Sequence, residues 1–112
     1  MRQDAVDGVG DNSVVIGNFA GNNITQMDSS VLIGASAGRR LAGDDVVHVG
    51  HNAGIYASGS NNTFIGYESG KGVNSSPSWS TGTSNVGIGK KALFNFSSGH
   101  SNTAVGYQAG NA

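Results

Sequence analysis

Asn61-Asn62-Thr63-Phe64-Ile65-Gly66-Tyr67-Glu68-Ser69-Gly70 and Ser101-Asn102-Thr103-Ala104-Val105-Gly106-Tyr107-Gln108-Ala109-Gly110 are two copies of one pattern. The pattern recurs around six pivot glycines: Gly17, Gly34, Gly50, Gly66, Gly89 and Gly106. The intervals between pivots are 17, 16, 16, 23 and 17 residues. One residue before the pivot stand Ile16, Ile33, Val49, Ile65, Ile88 and Val105; three before stand Val14, Val31, Val47, Thr63, Val86 and Thr103. All twelve are β-branched. Five before the pivot every residue is a turn former: Asn12, Ser29, Asp45, Asn61, Ser84 and Ser101. Gly stands seven before the pivot except at Met27, and four after it except at Leu93. An internal period of this kind is the signature of a stacked-repeat architecture.

β-branched residues two apart share one face of a strand. A short strand is therefore expected to end at each pivot, with Gly-rich turns around it. A second apolar position recurs seven after the pivot, at Ile24, Leu41, Ala57, Val73 and Phe96, and predicts a shorter returning strand. Helix is disfavoured because Gly interrupts every window. The expected fold is all-β: a β-solenoid, or β-roll, of six coils of about 16 residues. Residues 1–9 form an N-terminal lead-in, and residues 10–112 form the repeat, with an insertion at 71–85.

The β-branched columns are expected to point inward. That leaves the position two before the pivot, held by Val15, Leu32, His48, Phe64, Gly87 and Ala104, on the outside. Four of those six are apolar, and a strand apolar on both faces is usually buried on both. A thin solenoid cannot cover its own outer face. Other copies can, and a three-fold axis closes such an assembly. A parallel homotrimer is expected on that ground.

The stretches 61–70 and 101–110 resemble repeats of bacteriophage tail-fibre shafts. Asn12-Ser13-Val14-Val15-Ile16-Gly17-Asn18-Phe19-Ala20-Gly21 is similar to the head repeats of trimeric autotransporter adhesins. The likeness runs over residues 10–112, and the longer coil fits the fibre-shaft version better. It implies a trimer of parallel β-rolls stacked along a fibre, on a virion tail fibre or alternatively on a bacterial cell surface. The function implied is structural and adhesive, supporting attachment to a host receptor. The alternative is a bacterial adhesin segment that binds glycan or matrix itself. A monomeric ice- or ion-binding solenoid ranks third, since Thr63 and Thr103 are the only threonines of the strand columns.

Composition narrows the chemistry. Gly is 19 of 112 with one Pro, so neither a collagen period nor a proline-rich linker is present. The net charge is −1 and the only basic doublets are Arg39-Arg40 and Lys90-Lys91, which argues against nucleic acid as a partner. With no Cys there is no disulfide or thiolate chemistry, and the apolar runs are too short to insert in a membrane. No secretory leader is legible at the start. Glu68 is the sole Glu, G-x-S-x-G is absent, and no Gly motif opens a helix, so no enzyme site and no cofactor are expected. His48 and His51 are weak metal candidates, because residues three apart on a strand face opposite ways. The aspartates suit Asx-turns rather than a calcium repeat.

The irregular place is the insertion. Its Trp79, the only Trp, is a candidate receptor contact, as are Tyr67 and Tyr107 in the column after the pivot. Trp79 is more readily read as folding down on the roll. The sixth unit stops before its returning strand, so the sequence reads as an excerpt of a longer fibre.

Overall fold

A computed structural model of the chain describes residues 12–24, 27–40, 42–74 and 79–110. The expected lead-in at 1–9, Leu41 and residues 75–78 of the insertion lie outside the described residues. The fold is an all-β solenoid of about five turns, with no helix among the described residues. Six strands form one parallel sheet in chain order: β1 Val14–Ile16, β2 Val31–Ile33, β3 Val47–Val49, β4 Thr63–Ile65, β5 Val86–Ile88 and β6 Thr103–Val105. The register follows the repeat, so that Val15 pairs with Leu32, Leu32 with His48 and His48 with Phe64.

Each strand is bounded by two left-handed corners. The turn formers five before the pivot have φ between 52° and 64°, and the residues two after it have φ between 55° and 61°. Asn, Asp and Ser tolerate this conformation at the first corner. Phe19, Glu68, Lys91 and Gln108 adopt it at the second; from the second coil on, the N–H at this corner bonds the coil before it, Glu68 N–H donating to His51 O and Lys91 N–H to Tyr67 O, each at 2.9 Å. The pivots lie between, at φ of 125° to 134°, a region closed to residues with a Cβ. They also stack on one another. A Cβ on Gly66 would sit 2.7 Å from the carbonyl oxygen of Gly89. Each pivot N–H from Gly34 onward donates to the residue before the preceding pivot at 2.8 Å.

The strand face turned to the core is the reverse of the sequence expectation. The position two before the pivot is buried in all six coils, whereas the β-branched columns on either side are half-buried or exposed. Val15 and Leu32 join Ala20, Ile24, Met27, Ala37 and Val46 in one core cluster; Phe64 and Ala104 join Ala53, Ala57 and Leu93 in the next. The reason is room. The interior of so narrow a coil accepts one side chain from each three-residue strand. That side chain is fitted by the glycine four after the pivot: a Cβ on Gly38 would lie 2.6 Å from Leu32 Cδ2, and one on Gly70 would run into the Phe64 ring. The fifth coil inverts the arrangement, with Gly87 in the strand and Leu93 at the corner.

Among the described residues no returning strand is formed. That leg is largely turns, carried from coil to coil by bonds such as Tyr56 N–H to Lys71 O at 2.9 Å, and Ala57 pairs with Ser80 in an isolated strand-like bridge. Val73, expected seven after its pivot, does not hold that place; Ser80 does, because the inserted loop leaves the coil after Val73 and rejoins it at Ser80. Ser80 is fully buried; its hydroxyl donates to Phe96 O and accepts from Val73 N–H, both at 2.7 Å.

A polar ladder runs just inside the first corner, four before the pivot. Asn85 N–H donates to Asn62 Oδ1 and Asn102 N–H to Asn85 Oδ1, both at 2.9 Å. In the first coils serine does the same work: Ser30 N–H donates to Ser13 Oγ at 3.2 Å and Val46 N–H to Ser30 Oγ at 3.1 Å. These side chains satisfy buried backbone N–H groups that the turn geometry leaves without a main-chain acceptor.

Candidate functional site

The largest feature left to solvent is the outer face of the sheet. Because the β-branched columns point outward, ten aliphatic side chains and two threonines stand there in two parallel rows, three residues wide and six strands tall. Ile65 and Ile88 are each 37% exposed and Val105 65%. At strand spacing, the face measures about 10 Å by about 29 Å, or roughly 300 Å² of nearly uninterrupted aliphatic surface. The largest apolar patch of an ordinary soluble monomer is of about this size, and such patches are often functional. The apolar second face inferred from sequence therefore exists, but it is built from the β-branched columns and not from Val15, Leu32, Phe64 and Ala104, which fill the interior.

Beyond the pivot runs a second exposed stripe. His51, Tyr67, Lys90 and Tyr107 stand one above another in successive coils. The His51 and Tyr67 rings are 5.4 Å apart, and Lys90 Nζ lies 5.7 Å from the Tyr67 ring centre and 5.8 Å from that of Tyr107. Tyr67 and Tyr107 thus sit together on a solvent-facing edge beside the aliphatic face.

Trp79 is elsewhere. Half-buried, it lies nearly parallel to Tyr56 at 6.0 Å, with the Arg40 guanidinium 4.9 Å from its ring centre. Tyr56 and Arg40 each stand six after a pivot, on the leg of turns, so Trp79 packs down on the roll. No sequence pattern gave Arg40 and Tyr56 as its seat; the only hint was that both fall at the same distance from a pivot.

The two histidines do not meet. His48 is fully buried, stacked on Phe64 at 5.2 Å, and neither ring nitrogen has a hydrogen-bond partner. Burial pulls its imidazole down to about 3, so the ring is neutral at ordinary pH. His51 lies on the opposite side of the strand, exposed. Among the described residues no group of three or more His, Cys, Asp or Glu side chains is placed to hold a metal ion. Glu68 is engaged by two lysines, Lys71 at 3.3 Å and Lys91 at 3.8 Å, which also lie over the Phe94 ring. That cluster ties one corner to the next.

The six pivots are scaffold: their backbone stacks in the wall of the coil and presents no side chain. Comparison of the chain with protein-family models, with curated proteins and with solved structures finds no match.

Proposed function

We propose that the chain is a structural segment of a trimeric attachment fibre, three copies of the solenoid standing parallel around a common axis. The observation that carries this is the aliphatic outer sheet face, a surface that water does not favour and that one coil cannot cover for itself.

Three copies around a common axis would each bury that face against the other two. The parallel in-register stacking supplies a rigid element whose length scales with coil number, as a fibre requires. A virion tail fibre is the owner suggested by the resemblance of residues 61–70 and 101–110 to shaft repeats; the fibre's task would be to hold a receptor-binding part at reach.

The mass in solution tests the reading. Light scattering on the purified chain is expected to give three times its 11.3 kDa. Ile33→Asp, which puts a carboxylate in the middle of the face without touching the core, is expected to release monomers that keep their β circular dichroism. A folded monomer for the unaltered chain at micromolar concentration would overturn the proposal.

A further inference from the structure

The aliphatic face has two borders of unlike chemistry. Before the strands runs the first left-handed corner, with exposed Asp45, Asn61, Ser84 and Ser101 in successive coils. After them runs the stripe of His51, Tyr67, Lys90 and Tyr107. One border accepts hydrogen bonds and carries negative charge in its lower coils; the other offers a ring N–H, two phenols and an ammonium group.

We infer that the occupant of this edge is a second copy of the same chain, docked parallel and at the same height, with the stripe of one copy against the corner of the next. The inference rests on the three-fold reading above. Around a three-fold axis all strands run in the same sense, so the end of one strand adjoins the start of its neighbour. Asp45 then meets His51 of the adjacent copy at the level of β3, Asn61 meets Tyr67 at β4, and Ser84 meets Lys90 at β5. An antiparallel arrangement would instead set corner against corner and leave the donors of each stripe without that partner. The height is set by the solenoid itself. A coil climbs about 4.8 Å over its circuit, so the six residues from corner to stripe climb under about 2 Å. That is less than half a coil, and the nearest contact across the seam is the level one. The seam would fix the axial register, which the aliphatic face alone, being much the same from coil to coil, does not.

The absence of cysteine makes the register readable by disulfide trapping. Three double variants carry Ser84→Cys together with Lys90→Cys, Tyr67→Cys or Tyr107→Cys. Within one chain, Ser84 and Lys90 stand beyond opposite ends of β5, roughly 13 Å or more apart at strand rise, well beyond the ~7 Å that a disulfide spans, so oxidation can join only different copies. The Ser84/Lys90 variant is expected to give covalent trimer as its main species on a non-reducing gel, with the two staggered variants remaining mostly monomeric. A stronger product from either staggered variant, a covalent dimer that never advances to trimer, or no product from any of the three would overturn the seam. Light scattering on the same samples separates the two readings: a trimer mass without the level cross-link sinks only the seam, and a monomer mass sinks both.

Discussion

Acidification should destabilise this protein through a single buried side chain. His48 is enclosed, has no partner for either ring nitrogen, and its imidazole is pulled from 6.5 to about 3 by burial. Because the folded-state value lies below the unfolded one, the unfolded chain takes up a proton that the folded chain refuses. Stability from this site is therefore intact above about pH 7, falls as the pH drops below 6.5, and levels off only below about 3. Between those limits the slope is about 1.4 kcal/mol per pH unit. The loss amounts to about 2 kcal/mol at pH 5 and about 3 kcal/mol at pH 4, against a total stability of typically 5–15 kcal/mol for a natural domain. The comparison that isolates this site is with a variant lacking the imidazole. Leu32 occupies the same column one coil below, packed against the corresponding glycine, which makes His48→Leu the appropriate substitution. Urea unfolding followed by circular dichroism, at fixed protein concentration and at pH 7, 6, 5 and 4, measures the difference. The gap between variant and original should widen by about 2 kcal/mol from pH 7 to pH 5 in favour of the variant. Parallel pH profiles for the two proteins would show that the imidazole is hydrated or partnered, and the reasoning would fail.

Two further perturbations probe the coil. Gly66→Ala forces a Cβ against Gly89 O at a φ of 129° and should cost about 2–4 kcal/mol, whereas Gly106→Ala, where the nearest atom is 3.9 Å away, should cost only the part due to φ; equal melting temperatures for the two variants would refute the stacking account. Gly87→Leu should overpack the fifth coil, since a Cβ there already lies 3.2 Å from the Phe64 ring, and Leu93→Gly should leave a cavity costing about 3 kcal/mol; the double variant restores the arrangement of the other coils and should recover at least half of the summed loss, which a double-mutant cycle by chemical denaturation would reveal or deny.

The stacked repeat, the absence of helix and the position of all six strands could be read from the spacing of glycine and β-branched residues, because hydrogen-bonded coils demand the same backbone at the same offset. The facing of those strands could not be read from apolarity, since both faces are apolar. The information lay in a pair of exceptions. Gly87 and Leu93 are the odd residues of two columns and fall in the same coil, which is what two side chains competing for one interior space produce. The returning strand failed for a related reason: Ile24, Ala57 and Phe96 are apolar because they line the core, and a core-lining residue in a turn looks the same in sequence as one in a strand. The insertion misled by arithmetic. Counting seven from Gly66 lands on Val73, but the chain first makes its excursion, and the coil is completed by Ser80. Of the candidate functional residues, Tyr67 and Tyr107 were legible as members of an exposed column, while the seat of Trp79 on Tyr56 and Arg40 depends on where a loop folds, which no local pattern dictates.

The Ala57–Ser80 bridge carries a consequence for how such a chain can change over generations. The fourth coil is longer than its neighbours, yet the strands above and below it stay in register, so the extra residues are absorbed at one corner without disturbing the stack. Growth and ornament are thereby separated. Duplication of a whole unit lengthens the rod by a fixed step of about 4.8 Å, and a corner on the leg away from the aliphatic face is free to acquire loops, or whole inserted domains, of new sequence. Selection can act on what the corner displays while the spacing of the rod stays constant.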